Sequence, residues 1–168
     1  SFPWQGVSLA VHLARLFSLF MGLGTVLCTY HIVLLIFPKK PIFALGAMAF
    51  NAFNPMFIFV SASINNDNLV ILLSSIVLFI LARLLHSVKP SALRLLTLGG
   101  VIGLACLSKL SGLALIPLAA LALALRQMSE WKHRPESMRD WMPLLREWLC
   151  ECITMFAPVL LVAGWWYY

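Results

Sequence analysis

Long apolar runs that carry almost no charge are the feature that most restricts the fold of this chain. Residues 7–37, 42–60, 69–85 and 93–126 each form such a run. Only 11% of the 168 residues are charged, whereas a soluble domain has about a quarter of its residues charged. Membrane β-strands alternate between apolar and polar residues, and these runs do not. The sequence therefore predicts an all-α, polytopic transmembrane helical bundle.

About six membrane spans and one interfacial amphipathic helix are predicted. The run at 42–60 has an expected kink at Asn54-Pro55, and the run at 93–126 is divided into two short spans by the polar break at 108–112. Gly99 and Gly103 have the spacing that lets helices approach closely. The predicted domains are a transmembrane core of about five spans (1–126), a cytoplasmic loop with the interfacial helix (127–149), and a last span (150–168).

Positive charge predicts the orientation of these spans. Six spans place both chain ends, the polar residues at 61–68 and the break at Lys109 on one side of the membrane. Of the 12 Lys and Arg residues, all except Arg15 and Lys109 fall on the other side: Lys39, Lys40, Arg83, Lys89, Arg94, Arg126, Lys132, Arg134, Arg139 and Arg146. The positive-inside rule makes that side cytoplasmic. Topology thus accounts for the net charge of +6, and no nucleic-acid partner is expected.

The polar island, defined as residues 61–68 (SASINNDN), is the first candidate for chemistry. Asp67 is the only acidic residue in the first 129 positions. A charge near the centre of a membrane helix costs about 2.5 to 3.5 kcal/mol, so such residues are usually paired or face a cavity. The outward-facing candidates are His12, Arg15, Asn65, Asn66, Asp67, Asn68, Ser108, Lys109 and Ser111. Together they suit an anion held beside the membrane.

Each candidate also has a structural explanation. Asp67, Asn66 or Asn68 would cap the helix that begins near residue 69, and Lys109 would extend to the headgroups. Arg15 would form a salt bridge with Asp67. His12 would be a hydrogen-bonded neighbour of Arg15, while Asn51 and Asn54 would bond to neighbouring helices.

Several kinds of catalytic site have no signature in this sequence. It contains no Gly-rich phosphate loop after a strand, no paired-carboxylate motif, no metal-ligand cluster and no nucleophile with its base and orienting group. We therefore expect no cofactor and no metal-ligating residues in this chain. Binding of a divalent metal by other means is the alternative that the sequence leaves open.

Several short motifs resemble the C-fold polytopic glycosyltransferases, nearest to family 39 with its protein O-mannosyltransferase and lipid A aminoarabinose transferase relatives. The matching stretches are AFNPMF at 52–57, SASINND at 61–67, GLACLSKLSG at 103–112, HLARL at 12–16 and GWW at 164–166. The Ser-Lys-x-x-Gly element at Ser108, Lys109 and Gly112 is similar to one in the mannosyltransferases.

The resemblance implies transfer of a sugar from a polyprenyl phosphate to an acceptor on the extracytoplasmic side. Arg15 and Lys109 would hold the donor phosphate. Asp67, Asn65 and Asn66 would orient sugar or acceptor hydroxyls, with His12 and Ser108 as further candidates. The implied partners are the lipid-linked sugar and membrane lipid, with other membrane subunits as a further expected partner, in a bacterial plasma membrane.

One departure from the family bears on catalysis. The family's catalytic base is an acidic residue in an external loop that precedes this segment, and no residue here matches it. Because Ser1 does not resemble a natural start, we interpret the chain as the central membrane part of a longer enzyme. A non-catalytic accessory membrane subunit on the same scaffold is the main alternative, and a transporter that uses Asp67 is a weaker one.

Overall fold

A computed structural model describes residues 6–86, 90–130 and 138–166 of the chain. These residues form seven α-helices and two short 3-10 turns, with no β-strand among them. In chain order the helices are α1 (Gly6–Ile36), α2 (Pro41–Ala52), α3 (Pro55–Ala62), α4 (Asp67–Leu85), α5 (Ala92–Ser108), α6 (Leu115–Glu130) and α7 (Met138–Ala163). The 3-10 turns are Leu110–Ala114 and Gly164–Trp166. The predicted all-α class is confirmed.

Four segments of the described chain are long and apolar enough to cross a membrane: Gly6–Ile36, Asp67–Leu85, Leu110–Ser129 and Met142–Trp166. The bent pair α2 and α3 makes a fifth if it is counted as one span. The remaining apolar helix, α5, has 17 residues. The six predicted spans correspond to these six segments, of which four or five have the length of a full span.

The chain divides into two compact units, Ser1–Phe79 (unit 1) and Ile80–Tyr168 (unit 2). This division falls within α4, whereas the sequence predicts domain boundaries after residues 126 and 149. Each unit has its own helix packing and carries part of the predicted site.

In unit 1, α2 and α3 run antiparallel to α1. Asn51 Nδ2 of α2 donates a hydrogen bond of 2.9 Å to Thr29 Oγ1 of α1. Ten residues later, Ser61 of α3 lies against Gly22 of α1, where an added Cβ would be 2.8 Å from the Ser61 hydroxyl. Later residues of α2 and α3 therefore contact earlier residues of α1, as expected for antiparallel helices. The predicted role of Asn51 as a link to a neighbouring helix is confirmed.

The break between α2 and α3 lies at the predicted kink. Asn54 Oδ1 accepts a hydrogen bond of 3.0 Å from the Met56 N–H, and Pro55 occupies the first helical position, where its missing N–H costs nothing. The two helices are bent by 62°. Asn54 therefore caps α3, and the prediction that it bonds to a neighbouring helix is wrong.

In unit 2, α5 and α7 pack closely through the two predicted glycines. A Cβ added to Gly99 would lie 2.0 Å from the main-chain oxygen of Met155, and one added to Gly103 would lie 2.9 Å from Val162 Cβ. Neither position has room for a side chain. The approach of Gly99 to a carbonyl also suits a Cα–H···O contact, which recurs between packed helices. The expectation of close approach is confirmed.

The helix α7 continues through the boundary that the sequence suggested. It runs from Met138 to Ala163 and contains Pro143 and Pro158, so the predicted interfacial helix and the last span form one helix. Trp148 Nε1 donates a hydrogen bond of 3.0 Å to the Ala120 carbonyl of α6. This bond ties the N-terminal half of α7 to α6. The sequence predicted this half to be a separate helix in the membrane interface.

Candidate functional site

The polar island of unit 1 is organised by hydrogen bonds that its own side chains donate to nearby side-chain and main-chain oxygens. Ser63 Oγ donates to the Val60 carbonyl at 2.7 Å, and Asn65 Nδ2 donates to Ser63 Oγ at 2.7 Å. Asn68 Nδ2 donates to the Ser63 carbonyl at 2.8 Å. Asn68 is only 4% exposed, so it secures the turn from within. These bonds fix the path of the chain from α3 into α4.

The N-terminus of α4 is capped by Asn65. Its Oδ1 accepts a hydrogen bond of 3.2 Å from the Asn68 N–H in the first turn, a capping bond from an asparagine beside the three residues for which this role was predicted. Asp67 begins the helix and is half-buried. A carboxylate in the first turn is stabilised by the positive end of the helix dipole. Asn65 thus has a structural role, and Asn66 is exposed beside it.

His12 and Arg15 lie on one face of α1, three residues apart, and both are exposed. Arg15 forms no ion pair within the described residues, so the salt bridge with Asp67 suggested by the sequence is not present. The guanidinium group is instead presented outward from the helix. Such a group can bind an anion without first breaking an internal pair.

Packing within unit 1 brings Arg15 and Asp67 to the same end of the unit. Leu72 of α4 faces Gly24 of α1, and the rings of Phe79 and His31, seven residues further along each helix, have centroids 6.0 Å apart. The two helices are therefore parallel. At 1.5 Å per residue, Arg15 lies about 13.5 Å before the first contact and Asp67 about 7.5 Å before it. Their separation along the helix axis is about 6 Å.

In unit 2, Lys109 stands at the corner where α5 ends. Its backbone is extended, with φ −159° and ψ 144°. The Lys109 N–H donates to the Ala105 carbonyl at 3.1 Å, and the Lys109 carbonyl accepts from the Gly112 N–H at 2.9 Å. Lys109 is exposed and Ser108 half-buried. The corner thus fixes the backbone of Lys109 on both sides and leaves its ammonium-bearing side chain at the surface.

Gly112 makes this corner possible. A Cβ at position 112 would lie 2.5 Å from both the carbonyl carbon and the oxygen of Ala105. Only a glycine lets the 3-10 turn Leu110–Ala114 fold back onto the end of α5. The spacing of Ser108, Lys109 and Gly112 therefore has a physical reason: the glycine permits the turn that presents the lysine.

Most of the chain matches a known protein family. The family model described as dolichyl-phosphate-mannose-protein mannosyltransferase matches residues 10–162. The chain belongs to this family. No curated protein and no solved structure matches the chain. The match includes Arg15, the polar island and the Lys109 corner.

Membership of the mannosyltransferase family makes this a membrane protein of glycosyltransferase type. The expected resemblance to family 39 enzymes is confirmed at the level of the family. In unit 1, His12 and Arg15 of α1 lie near the same end of the unit as Asn65, Asn66 and Asp67, by the parallel register of α1 and α4. In unit 2, Ser108 and Lys109 are adjacent at the end of α5. Among the side chains that the structure describes, no three from His, Cys, Asp or Glu are grouped to hold a metal ion.

One polar cluster in unit 2 of this mannosyltransferase-family chain lies outside the motifs and candidate residues of the sequence. Arg126 Nη2 donates a hydrogen bond of 2.5 Å to Glu151 Oε1, and the neighbouring Gln127 is 8% exposed with no hydrogen-bond partner for its amide in the described chain. The signal available in the sequence was Glu151, an acidic residue within the apolar part of α7. Its partner lies 25 residues away and could be found only from the packing of α6 against α7.

Proposed function

We propose that this segment forms the donor-phosphate part of a glycosyltransferase that takes a sugar from a polyprenyl phosphate. The acceptor receives the sugar on the extracytoplasmic side of the membrane. Family membership supports the transferase class, and the excess of Lys and Arg on the opposite side supports the orientation. The observation that carries the proposal is the Lys109 corner, where a glycine-dependent turn presents one cation at the surface.

Arg15 and Lys109 are the proposed ligands of the donor phosphate. As the bond between sugar and phosphate breaks, negative charge grows on the phosphate that leaves. Fixed cations stabilise such charge most strongly in the transition state, because they need no rearrangement when it develops. The exposed guanidinium of Arg15 can also bind two phosphate oxygens at once.

Asp67, Asn65 and Asn66 are the proposed groups that orient sugar or acceptor hydroxyls. Asp67 lies at the end of unit 1 that also carries Arg15, which supports a shared ligand. The Asn65 amide already bonds to Ser63 and Asn68, so its contribution to ligand binding would be mainly to hold the turn. His12 and Ser108 lie next to the proposed phosphate ligands and are the second choices.

The proposal is tested by sugar transfer in the full-length protein in membranes. Lys109→Gln is expected to lower kcat/KM by about 100-fold or more, the cost of removing one transition-state ligand. Asp67→Asn is expected to lower it as well. The control Lys39→Gln changes an exposed lysine between α1 and α2 and should leave transfer unchanged.

The variants also distinguish the proposal from its alternative. Normal membrane insertion and thermal unfolding must accompany the loss of transfer, because a misfolded variant would be inactive for another reason. Wild-type transfer by both Lys109→Gln and Asp67→Asn would remove these residues from the mechanism. That result would favour a non-catalytic accessory subunit on the same scaffold.

A further inference from the structure

The apolar part of α5 in unit 2 is shorter than a membrane is thick. The exposed residues Arg94 and Lys109 stand at its two ends. They lie about 22.5 Å apart along the helix axis, whereas the hydrocarbon core of a bilayer is about 30 Å thick. Tilting the helix would shorten its span further. The backbone of α5 therefore cannot reach both headgroup layers of an undisturbed bilayer.

The packing of α5 against α7 allows the two helices to be compared level by level. A Cβ added to Gly99 would meet the main-chain oxygen of Met155, and one added to Gly103 would lie 3.4 Å from the Val159 Cα. Both pairs have the same offset of 56 residues, so the helices run parallel. Because backbone meets backbone at both points, α5 cannot slide along α7 without a clash.

The apolar part of α7 ends at the same two levels. By the shared offset, Arg94 lies about level with Glu151 of α7, and Lys109 lies level with Trp165. Trp165 is exposed, as is typical of tryptophans at membrane interfaces. Glu151 and Trp165 are about 21 Å apart along α7, and the residues of α7 before this level are amphipathic. The two helices thus form one apolar belt, about 8 Å thinner than the hydrocarbon core.

The reach of long side chains does not remove this mismatch at the Arg94 end. Arg and Lys side chains can extend to the headgroups, but Gln127 and Glu151 are shorter and largely buried. Arg126, the neighbour of Gln127 on α6, bonds to Glu151. The Gln127 amide and Glu151 Oε2 have no hydrogen-bond partner in the part of the chain that the structure describes. Such groups are costly in hydrocarbon, so they need water at this level.

We infer that unit 2 lies in a locally thinned bilayer, indented from the side of Arg94 and Glu151 until headgroup water reaches Gln127. The partner is the lipid bilayer itself, and the surface that deforms it is the short apolar belt of α5 and α7. This inference goes beyond the proposed function. It requires unit 2 to lie in the membrane but does not require Lys109 to bind a phosphate.

A nitroxide probe on α7 tests whether water reaches both ends of the belt. Cys150, which is exposed, is labelled as the only cysteine of the full-length protein in dioleoylphosphatidylcholine vesicles. Trp165→Cys and the mid-belt control Ala157→Cys, both at exposed positions, are labelled in the same way with Cys150 replaced by Ser. Electron paramagnetic resonance then measures the collision of each probe with a water-soluble nickel chelate.

We expect the probes at Cys150 and Trp165→Cys each to collide with the chelate at least threefold more often than the probe at Ala157→Cys. An undisturbed core is thicker than the belt, so it would cover at least one of the two ends. A collision rate at either end within threefold of the mid-belt control would therefore overturn the inference.

Lipid chain length gives a second measurement, because mismatch depends on bilayer thickness. Thermal unfolding of the full-length protein is followed in dimyristoleoyl-, dipalmitoleoyl-, dioleoyl- and dieicosenoylphosphatidylcholine vesicles, in order of increasing thickness. We expect the unfolding midpoint to fall from the thinnest bilayer to the thickest. A midpoint that peaks in dioleoylphosphatidylcholine, or that does not change, would overturn the inference.

A variant with a longer belt links this lipid preference to unit 2. It carries Arg94→Leu, Arg126→Met, Gln127→Leu and Glu151→Leu. Its apolar length becomes about 27 Å on both helices, limited by Ser91 and Glu147. The control Arg146→Leu removes an exposed charge outside the belt. We expect the longer belt to abolish the fall in midpoint and the control to retain it. A variant that still follows the wild type would overturn the inference, and the probe measurement decides if the variant does not fold.

Discussion

Arg126 of α6 and Glu151 of α7 form an ion pair whose nitrogen and oxygen atoms are 2.5 Å apart. Their side chains are only 4% and 17% exposed. Removing two charges from water is costly, and their attraction offsets that cost only when the geometry is good. The pair therefore contributes less to net stability than its short distance suggests. It does, however, fix how α6 and α7 align.

Breaking the ion pair on one side should be far more damaging than replacing it as a whole. Arg126→Met leaves Glu151 buried without its partner, and we expect a loss of about 3 to 5 kcal/mol in the free energy of unfolding. The double variant Arg126→Met/Glu151→Leu should recover most of that loss. Reversible denaturation in mixed micelles measures the three proteins, and an equal loss in the single and double variants would contradict this account.

Gly99 should tolerate no side chain, because an added Cβ would lie 2.0 Å from the Met155 oxygen. Gly99→Ala must push α5 away from α7, and we expect it to cost at least 1 to 3 kcal/mol, about the range of overpacked sites. Gly100→Ala is the matched control, since a Cβ there meets no atom within 4 Å. It should be neutral or stabilising by up to about 1 kcal/mol. Similar unfolding midpoints for the two variants would disprove the close packing.

Gly112→Ala should displace Lys109, which lies three residues earlier in the chain. The added Cβ would overlap Ala105, so the turn must open and the lysine must move. We expect transfer to fall nearly as far as in Lys109→Gln, on the order of 100-fold. The exposed neighbour Ser111 supplies the control Ser111→Ala, which should leave transfer within twofold of the wild type. If Gly112→Ala transfers sugar normally, the glycine does not position the lysine.

Asn65 should contribute to stability through its cap. Asn65→Ala removes the acceptor for the Asn68 N–H, and such a loss costs about 1 kcal/mol. Asn65→Asp keeps an acceptor near the positive end of the helix and should retain most of the stability. Thermal unfolding of both variants checks this prediction. Equal destabilisation would show that the bond from Asn65 to Ser63 is the more important one.

Much of the fold was predictable from the sequence, because its local signals agree with its packing. Apolar runs predicted the helices, and the glycine spacing predicted the close approach of Gly99 and Gly103 to a neighbour. The change from an amphipathic to an apolar pattern near residue 150 was misleading, since α7 continues through it. Side-chain bonds over a few residues, such as the Asn54 and Asn65 caps, depend on backbone detail that composition does not contain.

The candidate site was predictable in part. Arg15, Asp67 and Lys109 were recognised as isolated charges in an apolar chain. The reason for Gly112 became clear only from the fold-back of the 3-10 turn onto α5, and the axial proximity of Arg15 to Asp67 only from the parallel register of α1 and α4. Contacts between distant parts of the chain depend on packing, and short motifs do not encode that register.

The central claim, that Arg15 and Lys109 each contribute to binding of the donor phosphate, is tested most directly by equilibrium binding. The affinity of the full-length protein for farnesyl phosphate is measured for the wild type, Arg15→Gln, Lys109→Gln and the control Lys39→Gln. We predict that Arg15→Gln and Lys109→Gln each weaken binding at least tenfold and that Lys39→Gln leaves it unchanged. Unchanged affinity in Arg15→Gln or Lys109→Gln, or an equal loss in Lys39→Gln, would contradict the claim.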